Sequence, residues 1–196
     1  MRRTLLNIAS ALVFLAATAF AQSANSNQAS LNQQDREFAN MAAQANRGEI
    51  EMGTLAQQKA SSDAVKQFAE TIVDDHTNAG QQLKSWASQS NFTLPAGLAP
   101  EDSSTKSSLS SVSDSQFDQK YIQSQLQDHK KAIALFEKEI SEGQDPQLKA
   151  FAQKTLPVLQ DHVRVAEDLA GKLGLSGKMG LTDESKAVNS RKQPPK

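Results

Sequence analysis

Four stretches of this chain repeat apolar residues at alternating steps of three and four, and an α-helix is the structure that lays such a series along one face. They are Phe38, Ala42, Ala45, Glu49, Met52, Ala56; then Val65, Phe68, Ile72, His76, Ala79, Leu83; then Phe117, Tyr121, Gln125, His129, Ile133, Phe136, Ile140; and Leu148, Ala152, Thr155, Leu159, His162, Ala166, Leu169, Leu173. Each helix has one apolar stripe and a polar remainder, so none is stable alone. Four such stripes bury one another in a bundle.

Local signals set the boundaries. The first helix is expected from Asp35 to about Lys59 and the second from Asp63 to Ser90, with Ser61-Ser62-Asp63 as a tight connection that starts the second helix and turns it back. The third runs from Asp114 to Glu142 and stops at Gly143; the fourth runs from Pro146 to Leu173 after an Asp145-Pro146 start. Pro157 inside the fourth is expected to kink it. Between the second and third lies "NFTLPAGLAPEDSSTKSSLSSVSDS", a serine-rich segment with no sustained period. A connection this long has a reason in a bundle, where it lets the third helix run parallel to the second. Two short matches, "VKQFA" at Val65 with "LKAFA" at Leu148 and "DREF" at Asp35 with "DSQF" at Asp114, suggest a duplicated helical hairpin.

Residues 1–21 are read as a secretory signal peptide: Arg2-Arg3, an apolar run from Leu5 to Phe20, and Ala19-Phe20-Ala21 as the cleavage site. A polar leader at 22–34 is expected to be flexible, residues 35–173 form the bundle domain, and 174–196 form a disordered tail. Loss of Arg2 and Arg3 takes the formal charge from −1 to −3, which offers nothing for nucleic acid or an anionic membrane. The chain has no cysteine, so disulfides, thiolate catalysis and thiolate metal sites are excluded, as is a cysteine-borne lipid anchor. A periplasmic or secreted protein with no membrane span is expected, its protein partner and oligomeric state left open.

All three histidines of the chain interrupt the stripes. His76, His129 and His162 each stand in a different helix, and Glu49 is the charged residue on the remaining one. Each lies within about two residues of its helix midpoint, roughly 3 Å of axial rise, so the four can share one layer whichever way the helices run. Three imidazoles and a carboxylate suit a single zinc, iron or copper ion, with further carboxylates orienting the imidazole N–H groups. A buried hydrogen-bonded layer that fixes helix pairing is the other reading. A carboxylate-bridged di-iron site is excluded, because Val73 and Leu159 stand where its glutamates belong, three residues before His76 and His162. No serine nucleophile elbow, phosphate loop or calcium loop is present, so no catalytic residue is assigned and enzymatic activity is left open. Tyr121 and Trp86 read as packing residues near the bundle ends.

The segments "FANMAAQANRGEIEMGTLAQQKASSDAVKQFAETIVDDHTNAGQQL", "FDQKYIQSQLQDHKKAIALFEKE" and "LKAFAQKTLPVLQDH" resemble the bacterial exported family catalogued as domain of unknown function 4142. Its members are often labelled predicted outer-membrane proteins and grouped with ferritin-like bundles. The resemblance spans about Asp35 to Leu173 and implies an all-α, ferritin-like four-helix bundle that is exported. It carries no established activity and therefore no catalytic residues. Two functions follow as expectations: an exported bundle binding a metal ion at Glu49, His76, His129 and His162, or a non-catalytic stress-protective or partner-binding bundle with a structural histidine layer.

Overall fold

The computed structural model describes residues 31–175, which form five helices. They are α1 (Gln33–Lys59), α2 (Asp63–Gln89), α3 (Pro100–Ser111), α4 (Asp114–Glu142) and α5 (Pro146–Lys172). The four long ones make an all-α four-helix bundle in which α1 packs on α2 and α4, and α5 on α2 and α4. The crossover carries the chain back along the bundle, so α4 starts beside the α1–α2 connection and runs parallel to α2, its diagonal partner. Neighbouring long helices are therefore antiparallel. Pro157 lies on an exposed turn of α5 and the helix continues through it; the carbonyl that loses its helical donor belongs to exposed Gln153.

The two ends of the bundle are built alike. Asp35 at the start of α1 accepts from the backbone N–H groups of Gln144 and Asp145 at 2.9 and 3.1 Å, tying the α4–α5 connection down. At the other end Asp118 accepts from Ser61 and Ser62 at 3.0 and 2.9 Å, tying down the α1–α2 connection. Each buried carboxylate thus satisfies two donors that the turn leaves without helical partners. Asp35 and Asp118, Ser61 and Gln144, Val65 and Leu148 are all separated by one and the same interval. So are Asn91 and Gly174, each in the left-handed region (φ 50 and 73) just past its helix, with Phe92 and Leu175 bonding back to Ala87 and Ala170 at 2.8 and 2.9 Å. The chain is a duplicated hairpin, and Asp35 matches Asp118. The sequence pairing of Asp35 with Asp114 was one helical turn short, an error to which four-residue periodicity invites.

Helix α3 departs from the expectation of an irregular crossover. Pro100 in its first turn followed by Glu101 and Asp102 is a helix start, but the serines after it carry little propensity and no stripe, and Leu109 is its one buried residue. Tertiary contacts hold it. Lys59 Nζ donates to the carbonyls of Ser110 and Val112 at 2.8 and 3.0 Å, and Lys106 pairs with Glu51 at 2.8 Å. Gly48 lets α3 approach α1, since a Cβ there would stand 2.8 Å from the Asp102 carboxyl. At the chain ends, α1 starts at Gln33 under an Asn32 cap, and Leu175 is buried in the core, so the helical domain reaches past both expected limits. The expected signal peptide and the rest of the expected leader and tail lie outside the described residues.

The core is two apolar clusters, not one. Met52, Phe68, Ile72, Phe117, Tyr121 and Leu126 belong to the first, beside the Asp118 clamp. Phe38, Leu83, Trp86, Phe136, Leu148 and Leu159 belong to the second, where Trp86 covers the rim and donates its indole N–H to Asp145 at 3.3 Å. Buried Asn46, Glu49, His76, Gln125, His129 and His162 lie between them.

Near the second cluster Glu139 is fully buried, and burial together with the Asp35 carboxylate pushes it up from 4.5 to about 7, against a hydrogen bond from Gln34. A raised carboxyl stabilises the fold below its unfolded value and loses that contribution as pH rises from 4.5 through 7. Glu139→Gln, which stays neutral, is expected to be more stable than the parent at pH 8 and to lose its advantage near pH 5, as read from urea midpoints at the two pH values. Equal pH dependence in the two proteins would contradict this.

Candidate metal centre

Each histidine arrives from its own helix with its orientation set by a neighbour behind it. His76 Nδ1 lies 2.7 Å from Asn46 Oδ1, His129 Nδ1 lies 3.0 Å from the Gln125 carbonyl, and His162 Nε2 lies 3.0 Å from Asp75 Oδ2. An amide oxygen, a backbone carbonyl and a carboxylate can only accept, so each of these outer nitrogens carries its proton. With each ring in its single-proton form the inner nitrogens, His76 Nε2, His129 Nε2 and His162 Nδ1, carry the lone pairs. These converge: His129 Nε2 is 3.5 Å from His76 Nε2 and 3.1 Å from His162 Nδ1, and all three atoms lie within 4.8 Å of one another.

Three lone pairs at that spacing repel unless something positive sits among them. The rings are 6%, 1% and 3% exposed, so water cannot screen them. A buried imidazole resists protonation, and burial with the neighbouring rings holds His76 well below the ordinary 6.5 and His129 down at about 3. Three nitrogens on a metal–imidazole shell of about 2.0 Å stand roughly 3.5 Å apart in a trigonal plane and roughly 3.3 Å apart in a tetrahedron. The spacings of 3.5 and 3.1 Å fall at those values to within a few tenths of an ångström.

Glu49 is in the layer but not in the cluster. Its carboxyl stands behind His129, 3.6 Å from Nδ1, and accepts from Gln125 Nε2 at 2.6 Å. The expected four-ligand set is therefore brought together as three rings, with Glu49 on the outer side of one of them. Burial pushes Glu49 up from 4.5 to about 8 against the Gln125 hydrogen bond, with Asp128 and Asp102 adding to the rise, so it is neutral at pH 7. Asn46 and Gln125 escaped assignment as functional residues, though Gln125 lies on a stripe and Asn46 is one turn before Glu49. Asp75 precedes His76 in sequence yet serves His162 on α5, because successive helical residues point about 100° apart.

Fold and site together define an all-α bundle with a buried three-histidine centre. The chain belongs to the family described as Domain of unknown function (DUF4142), which matches residues 20–169. No curated protein matches it. Among solved structures it is similar to a DUF305 fragment from Deinococcus radiodurans, with a TM-score of 0.66 and 13% identity over 72% of this chain and 98% of that one. It is also similar to CopM in its Cu(II)-bound form (TM-score 0.62, 18% identity, 70% of this chain and 96% of that one) and in its Cu(I)-bound form (TM-score 0.60, 17% identity, the same coverage). At such identities the likeness speaks for the fold. No helix among the described residues is long and apolar enough to cross a membrane.

The metal-free layer titrates from both sides. His76 and His129 have folded values below 6.5, so the stability of their neutral burial is present above pH 6.5 and is lost as pH falls toward 3. Glu49 acts oppositely, destabilising the fold as pH rises from 4.5 through 8. Chelator-treated Glu49→Gln is expected to flatten the alkaline limb of the stability profile by up to a few kcal/mol while leaving the acid limb in place, measured by denaturant unfolding from pH 5 to 9. An unchanged alkaline limb would show that Glu49 is not buried in this way.

Proposed function

We propose that this protein is exported and binds a single copper ion, as Cu(I), through His76 Nε2, His129 Nε2 and His162 Nδ1. The observation that carries the reading is the convergence of three lone pairs whose outer nitrogens are all committed to acceptors. Charge favours a monocation. The three ligands are imidazoles that bring no negative charge, and the desolvation cost of a buried ion grows with the square of its charge, so a dication is penalised far more heavily. The Asp75 carboxylate behind His162 balances a single positive charge. Imidazole ligands suit copper, and CopM, a solved relative in fold, is described in Cu(I)-, Cu(II)- and Ag-bound forms. Export is supported by Arg2-Arg3, the apolar run and Ala19-Phe20-Ala21. The rings are buried, and the Asp75 side chain, 44% exposed, connects the cluster to solvent, an arrangement for holding an ion and not for turning over a substrate.

The test is anaerobic titration of the untagged mature protein with Cu(I) against a competing chelator, with elemental analysis of the product. One ion per chain is expected. His76→Ala, His129→Ala and His162→Ala should each abolish stoichiometric uptake, and Asn46→Ala, which touches no metal-binding atom, should retain one ion at about 10- to 100-fold lower affinity. A protein that takes up no copper, or that keeps it in all three histidine variants, would make the layer a packing device.

A further inference from the structure

On the other side of Asn46 from the histidines, a cleft of about 450 Å³ opens between α1 and α2. The start of the crossover, Leu94-Pro95-Ala96, roofs it, and Ile50 and Leu83 give it apolar walls. Its volume falls within the range of small-molecule sites, roughly 300–1,000 Å³. The polar groups at its edge have a definite sign. Glu51 is paired with Lys106 of α3 at 2.8 Å, so its charge is answered outside the cleft. Arg47 and Lys84 have no ion-pair partner among the described residues, and the Arg47 Nε–H is buried without an acceptor. A guanidinium and an ammonium at the edge of an apolar cleft have one complementary ligand chemistry: an anionic head on an apolar body.

We propose that this cleft is a binding site for a small organic monocarboxylate, whose carboxylate is held by Arg47 and Lys84 and whose apolar part lies under Leu94-Pro95-Ala96. Planar, fork-like pairing with Arg47 selects a carboxylate over a neutral amide of the same shape. The site stands apart from the metal reading, since none of its groups is a ligand of the histidine cluster. Asn46 is shared between the two as wall on one side and hydrogen-bond acceptor of His76 on the other.

Gly80 supplies a clean steric test. It lines the cleft, and a Cβ added there meets nothing within 4 Å, so Gly80→Leu fills the space without disturbing the fold and replaces a poor helix former with a good one. The probe is 4-phenylbutyrate, titrated into the metal-free mature protein by amide NMR beside its neutral counterpart 4-phenylbutyramide. For a ligand of this size a Kd on the order of 1 mM or tighter is expected, with shifts centred on residues 46–51, 77–84 and 94–96. The amide and the Arg47→Gln variant should each bind about tenfold or more weakly, the loss of one charge-assisted hydrogen bond. Gly80→Leu should melt no lower than the parent and bind nothing. Equal affinity for acid and amide, shifts that map elsewhere, binding retained by Gly80→Leu, or no binding of phenylbutyrate at 10-fold excess over about 1 mM would each overturn the proposal.

Discussion

Three imidazole lone pairs aimed at one point in a dry interior make the constraint on which the rest of this structure turns. Left alone they destabilise the bundle, because no solvent reaches them and no protein donor lies between them. Holding them there takes three acceptors behind the rings, and those acceptors come from α1, α2 and α4. The helices must therefore keep their axial register to within a fraction of a turn. The Asp35 and Asp118 clamps at opposite ends and the apolar clusters above and below the layer do this, each clamp fastening the start of one hairpin onto the turn of the other.

The duplicated hairpin explains what is general in the molecule, and the site lies where the duplication has been broken. Clamps, turns and helix ends recur at a constant interval. At that same interval Asn46 matches His129, His76 matches Leu159, and Ala79 matches His162. A symmetric pair of hairpins would place matching side chains across the layer. This chain places an amide oxygen where the second hairpin has an imidazole, which turns His76 so that its Nε2 faces the other two rings. Specialisation is thus confined to a few mid-helix positions in a scaffold whose ends are conserved between its halves.

Most of the bundle was legible in the stripes, because 3.6-residue periodicity records burial directly: Phe38, Ile72, Phe117 and Leu159 are all in the core. The shared level of the histidines was legible too, as axial rise is linear in sequence. Three things were not. Helix α3 is held by Lys59 and Lys106 contacts to its backbone and side chains, which leave no period in a serine-rich stretch. The side of His129 on which Glu49 stands depends on rotation about the α1 axis, which spacing along a helix does not encode. The Asp75–His162 pair crosses between helices, and spacing along one helix does not say which ring of another a carboxylate reaches.

The tautomers of the three rings are the central claim, and nitrogen-15 NMR of the metal-free protein at pH 7 tests them most directly. Long-range couplings from the ring carbons distinguish a protonated nitrogen from a lone pair at each position. The account predicts protons on His76 Nδ1, His129 Nδ1 and His162 Nε2, with lone-pair shifts at all three inward nitrogens. A proton on His76 Nε2, His129 Nε2 or His162 Nδ1 would mean that the rings satisfy one another by hydrogen bonds, and the case for a cation among them would fall.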